Sequence, residues 1–124
     1  MLKDSFFFVE GVKTENGLPV FAVRLNPLHV IFQVHFPDIP IVPGVCQIQI
    51  ISESLEDYLG RKLYLSEVKN IKFLSVLDPV KTINFEVVFQ KLTIDEDKLK
   101  ATVLLQHADK QFAKISLIYV YMPI

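Results

Sequence analysis

Residues 43–60 are the one stretch in which apolar side chains recur at helical spacing, and most of the remaining chain alternates as strands do. Pro43 suits a first helical position, where its missing N–H costs nothing. Gly60 suits the stop, because it can take the left-handed conformation that ends a helix. Val45, Ile48, Ile51, Leu55, Tyr58 and Leu59 form the expected apolar stripe, with Cys46, Gln49, Glu53 and Glu56 on another. Ile50 and Ile51 are β-branched and weaken the helix locally, so packing against other elements has to hold it. One long helix must therefore find its cover among strands, which is an α+β arrangement.

The strands are legible from their alternation and from the turns between them. Pro19 to Leu25 is rich in β-formers and follows the turn signal Glu15-Asn16-Gly17, across which Phe6 to Val9 is expected to pair. Leu63 to Phe73 is a third strand. Thr82 to Leu92 places Ile83, Phe85, Val87 and Phe89 on one face. Lys100 to Ala108 and Phe112 to Met122 form a hairpin around Asp109-Lys110. In the last strand Ile115, Leu117, Tyr119 and Tyr121 oppose Ile118 and Val120, so both faces ask for cover from neighbours or from a second subunit.

The chain has 124 residues, room for a single domain spanning 1–124. Thirteen Lys and Arg against 14 Asp and Glu leave a formal charge of −1, so no basic field points to nucleic acid. The lone cysteine, Cys46, excludes a disulfide framework and a cysteine-rich zinc site, and reads as a buried small hydrophobe. His29, His35 and His107 lack metal-ligand spacing, so neither metal nor cofactor is expected. The opening apolar run is too short and too charged for a signal peptide, and no stretch is long enough to span a membrane. A soluble cytoplasmic protein is the expectation.

Chemistry concentrates in residues 35–45. Pro37, Pro40 and Pro43, at three-residue spacing, force an extended and rigid path into the helix. Val42 falls at the expected N-cap and offers no side-chain oxygen, so the first helical N–H groups stay free. Gly44 has no Cβ and permits close approach. An uncapped helix start suits a developing negative oxygen, and His35 on the path ahead of it could supply a base.

The ordered set His35, Phe36, Pro37, Pro40, Pro43 and Gly44 resembles the His-Phe-Pro-x-x-Pro-x-x-Pro-Gly signature of the 3-hydroxyacyl-[acyl-carrier-protein] dehydratases. Lys72-Phe73 and Pro79 resemble a later strand and turn of that family. The resemblance implies a hot-dog fold, in which a curved antiparallel sheet wraps one long helix. It also implies loss of water from a 3-hydroxyacyl thioester to give a trans-2-enoyl thioester, in fatty-acid or polyene-type biosynthesis. In this reading His35 removes the C2 proton, the Gly44 N–H polarises the thioester carbonyl, and Phe36 and Val45 line the substrate. The carrier is acyl-carrier protein or coenzyme A, and the assembly is a homodimer or a heterodimer with a related subunit, with no nucleic acid or membrane involved. Accessory dehydratases of pigment clusters are the nearer type.

One departure matters. The family's leaving-group acid, five residues beyond the glycine on the partner subunit's helix, is Gln49 here, while Glu53 stands where the family commonly has glutamine. A carboxamide neither donates nor takes back a titratable proton. Three readings follow: Glu53 replaces the acid, Gln49 orients the hydroxyl while His35 moves both protons, or the chain binds acyl groups without turnover. A hot-dog acyl-thioesterase is a further alternative, with Glu53 activating water.

Overall fold

The computed structural model describes residues 2–34, 38 and 40–123. It contains strands β1 (Phe7–Glu15) and β2 (Leu18–Leu25), a short helix α1 (Ile31–Val34), the long helix α2 (Gly44–Leu59), and strands β3 (Leu63–Phe73), β4 (Asn84–Ile94), β5 (Lys98–His107) and β6 (Lys110–Tyr121). The strands form one antiparallel sheet in the order β1-β2-β4-β5-β6-β3. The long helix packs against it, the hot-dog arrangement.

Local chemistry explains the connections. Asn16 and Gly17 turn β1 into β2 with φ of 53° and 78°, values that this residue pair accepts readily. The first strand is longer than the expected Phe6 to Val9. Its second half carries Glu10, Lys13, Thr14 and Glu15 on an edge where one side faces water, so burial imposes no alternation there. The last hairpin turns on Ala108 and Asp109, one residue earlier than Asp109-Lys110, with Ala108 at φ 52°. Register shifts in β1, β3 and β4 mark bulges, which bend strands.

The core lies between α2 and the inward faces of the sheet. Phe85, Val87 and Phe89 of β4, Leu99, Val103 and Leu105 of β5, and Ile115, Leu117 and Tyr119 of β6 are all buried. Ile83 lies just outside β4 and is partly exposed, so it does not extend that face. From the helix, Cys46, Ile50, Ile51 and Leu55 enter the core. The expected stripe is therefore only partly right, because Val45 is 74% exposed and Tyr58 is half exposed. The first two turns carry apolar residues on several sides, so hydropathy leaves the buried direction open, and packing chose Cys46 and Ile50 over Val45. Burial pushes the Cys46 thiol above its ordinary pKa, which suits a packed rather than a reactive sulfur. Tyr58 still touches the sheet through an edge contact with Phe21, at 5.7 Å between ring centres.

The helix starts one residue later than expected and stops at Gly60 as expected. Pro43 is the N-cap, with φ −60° and ψ 149°, and its carbonyl accepts from the N–H groups of Cys46 and Gln47. It continues the extended path instead of starting the helix. Val42, one residue earlier, is buried, and its N–H donates to the Leu77 carbonyl at 2.9 Å. Gly60 closes the helix at φ 64°, donating its N–H to the Glu56 carbonyl. The strand β6 is paired on both sides, by β5 and β3. Its outward residues Ile118 and Val120 are half-buried within the single chain.

Two outcomes test this core. Ile50→Ala removes a fully buried side chain from the helix–sheet contact and should cost about 2–5 kcal/mol in chemical denaturation, whereas a loss below about 1 kcal/mol would contradict that packing. Burial, assisted by the charge of Glu56 and opposed by a hydrogen bond with Ser52, raises the pKa of Tyr119 to about 12. The unfolded chain ionises this phenol near its ordinary value of about 10, so it releases the proton first as pH rises. The contribution of Tyr119 to stability should thus be intact below about pH 10 and decline from there to about pH 12. Tyr119→Phe should flatten that part of the stability profile relative to wild type.

Candidate active site

The start of α2 is built as the prolines suggest. Pro43 supplies no side-chain cap, and no acidic residue occupies the first turn. The free N–H groups and the helix dipole therefore favour a partial negative charge at this end. Beside it lies a cavity of 330 Å³. Residues 41–44 and Gln47 line one wall, and residues 73–77, which follow from the end of β3, line the other. Apart from Gln47 and Ser75 the lining side chains are apolar, which suits an acyl chain better than a charged ligand.

Gly44 lets the Phe73 ring lie close against the helix start. A Cβ built on it would lie 2.7 Å from Cζ of Phe73, so the Phe73 ring occupies the volume that any other residue would fill. That ring is 57% exposed and forms part of the cavity wall. Sequence reasoning reached the permissiveness of Gly44 but not the neighbour that uses it. Gln47 was also missed. It is buried, its Nε2 donates to the Val42 carbonyl at 3.2 Å, and its Oε1 has no hydrogen-bond partner among the described residues. A glutamine set among Cys46, Ile48 and Ile50 was the available signal, since a polar residue within an apolar turn needs a reason.

The candidates divide into three groups. His35 and Phe36 lie outside the described residues, as does Pro37. Gly44 and Val45 stand at the helix start, with Val45 exposed beside the cavity. Gln49 lies more than one turn further on and Glu53 one turn beyond it, and the two are joined, the Gln49 Nε2 donating to Glu53 Oε2 at 2.7 Å. Gln49 is exposed, whereas Glu53 is 1% exposed. The Glu53 carboxylate also accepts from the backbone N–H groups of Leu2, at 3.1 and 2.9 Å, and Lys3, at 2.9 Å. Nine residues separate Gly44 from Glu53, about 13 Å along a helix. Within one chain Glu53 thus lies just past the middle of α2, next to a separate 240 Å³ hollow lined by Lys3, Glu56 and Asp57 among others.

Among the described residues no three His, Cys, Asp or Glu side chains converge as metal ligands would. No described helix is long and apolar enough to cross a membrane.

Residues 12–115 match the ApeI-like family, described as ApeI dehydratase. The chain belongs to the ApeI-like dehydratases. It is also 31% identical over 109 residues to the 3-hydroxyacyl-[acyl-carrier-protein] dehydratase FabZ of Ruminiclostridium cellulolyticum, a match covering 79% of this chain and 77% of that one. A shorter match, 36% identical over 69 residues, joins half of this chain to 49% of the corresponding enzyme of Clostridium acetobutylicum. Among solved structures, the dehydratase heterocomplex ApeI:P of Xenorhabdus doucetiae superposes with a TM-score of 0.65 at 21% identity, covering 91% of this chain and 96% of that one. A provisionally assigned thioesterase from Lactococcus lactis reaches 0.60 at 10% identity, covering 91% and 89%. At such identities the two structures establish the hot-dog fold and no more.

For this ApeI-like dehydratase, the contact between Gly44 and Phe73 yields a direct test. Gly44→Ala alone should lower stability, because the new methyl displaces the ring. In a Phe73→Ala background the same change should be neutral or stabilising, since alanine is otherwise the better helix residue. A double-mutant cycle on thermal unfolding should give a coupling of about 1 kcal/mol, and additivity would remove the ring as the reason for glycine.

Proposed function

We propose that the chain removes water from 3-hydroxyacyl thioesters, carried on acyl-carrier protein, to give trans-2-enoyl thioesters in fatty-acid or polyene-type biosynthesis. The observation that carries this reading is the uncapped start of α2 at Gly44, opening beside a largely apolar cavity, in a chain of the ApeI-like dehydratase family. The Ruminiclostridium relative, a 3-hydroxyacyl-[acyl-carrier-protein] dehydratase, supports the acyl-carrier-protein substrate.

The chemistry follows from the residues. The acyl chain lies against apolar walls, with Phe36 and Val45 as further lining. The Gly44 N–H polarises the thioester carbonyl, which acidifies the C2 hydrogen. His35 takes that proton, and the electron pair of the C2–H bond becomes the C2=C3 double bond as the C3–O bond breaks. The same imidazole returns the proton to the departing oxygen, so water leaves and His35 is restored. Gln49, on the helix of a partner subunit, orients the hydroxyl. The partly exposed Val45, Phe73, Leu74 and Val76 around the helix start, and the exposed Tyr64 and Val68 on edge strand β3, support a homodimer that covers them. The dehydratase heterocomplex of Xenorhabdus supports a second reading, a heterodimer whose other subunit brings the acid absent at position 49.

Purified chain given a 3-hydroxyacyl thioester should form the conjugated enoyl product and release no free thiol, whereas thiol release would turn the reading to a thioesterase. His35→Ala should lower the rate by about 10²–10⁴-fold, and near wild-type turnover would remove His35 as the base. Sedimentation should show a dimer at micromolar concentration. A monomer that turns over only with a related chain would establish the heterodimer instead.

A further inference from the structure

Glu53 is the most buried carboxylate described, and its surroundings show why it can be there. A carboxylate withdrawn from water is tolerated only where hydrogen bonds replace its hydration. Here Leu2 and Lys3 supply backbone N–H groups and Gln49 supplies a carboxamide N–H. The neighbouring Lys3 ammonium turns to Asp57 at 3.0 Å. Residues 2–7 then curl into a hook, with the Leu2 carbonyl accepting from the N–H groups of Ser5, Phe6 and Phe7. The Phe6 carbonyl accepts from the Asn26 N–H, and its ring packs on Phe32 of α1 at 5.1 Å. One carboxylate thus joins the middle of α2 to the segment that leads into residues 35–37.

We propose that Glu53 is a positioning residue, whose carboxylate fixes the Gln49 carboxamide so that the Gln49 carbonyl oxygen is turned outward as a hydrogen-bond acceptor. This rests on the reading that Gln49 faces the substrate hydroxyl. A carboxylate only accepts, so the amide nitrogen of Gln49 must be the atom turned toward it, and Oε1, in the same plane, occupies the other corner of the amide. An outward acceptor takes the hydrogen of a 3-hydroxyl group. That holds the hydroxyl with its lone pairs free for the proton that His35 returns. Gln49 in this arrangement needs no titratable proton, and Glu53 never touches the substrate.

Three variants in the full chain test the assignment: Glu53→Gln, Gln49→Glu, and the two combined. Turnover is read with a 3-hydroxyacyl thioester of N-acetylcysteamine, and the side-chain amide of Gln49 is read by NMR. Glu53→Gln can both donate and accept, so it releases the amide orientation. It should lower kcat about tenfold with KM changed less than twofold, and should shift the Gln49 amide signals. Gln49→Glu sets two carboxylates side by side and should lower kcat by at least as much. Together the changes restore one donor facing one acceptor, and kcat should recover to within about threefold of wild type. Unaltered kcat in Glu53→Gln, or losses that simply multiply in the combined variant, would overturn the proposal. Wild-type spectra decide it even if a variant does not fold: one Gln49 amide proton should lie downfield and exchange slowly, and a solvent-like amide pair would overturn it. A wild-type chain without turnover would instead remove the dehydratase reading, while those amide signals still decide whether Glu53 holds Gln49.

Discussion

The contact of Ile50, Ile51 and Leu55 with the inward faces of β4, β5 and β6 organises this molecule. A helix of 16 residues has one face to give to a sheet, and these side chains are completely buried by it. Removing apolar area from water is the main favourable term in folding, and β-branched residues in α2 gain from it what they lose in helix propensity. Everything chemically interesting is then fixed by position along one rigid rod. Gly44 is at its open end, Gln49 on its exposed side, and Glu53 further along on its buried side.

The open end exists because the chain before it is stiff. Pro43 keeps ψ extended, so it caps with its backbone carbonyl and leaves the first helical N–H groups without a competing side-chain oxygen. The Val42 N–H is meanwhile tied to Leu77, which brings residues 73–77 alongside and places Phe73 over Gly44. The cavity and the glycine requirement have a common origin in that tether. A bulkier residue at position 44 would collide with the same ring that walls the cavity.

Much of this was legible beforehand, and the misses have physical reasons. Alternation located β4 and β6, turn signals located β2 and β5, and the Pro43 and Gly60 punctuation located α2. The stripe on α2 was misjudged at Val45 because turns with apolar residues on several sides carry no single directional signal. The burial of Glu53 was invisible to hydropathy, because what stabilises it is backbone of Leu2 and Lys3, 51 and 50 residues away in sequence. Proline and glycine punctuation was enough to mark an uncapped helix start, yet nothing local announced that Phe73 would lie against it.

The exchange of glutamine and glutamate between positions 49 and 53 follows from the same long-range bonds. A Gln–Glu pair one helical turn apart keeps its hydrogen bond in either order, since each order offers one donor and one acceptor. What changes is where the charge resides. With the acid at position 53, the charge is drawn inward to the N–H groups of residues 2 and 3, and the exposed position becomes neutral. The amino-terminal hook gains a strong anchor, because hydrogen bonds to a carboxylate are roughly twice as strong as those between neutral groups. The exposed amide loses acidity and keeps geometry. In the proposed reaction, a neutral side chain at position 49 leaves proton transfer to His35 and gives α2 the orientation of the hydroxyl.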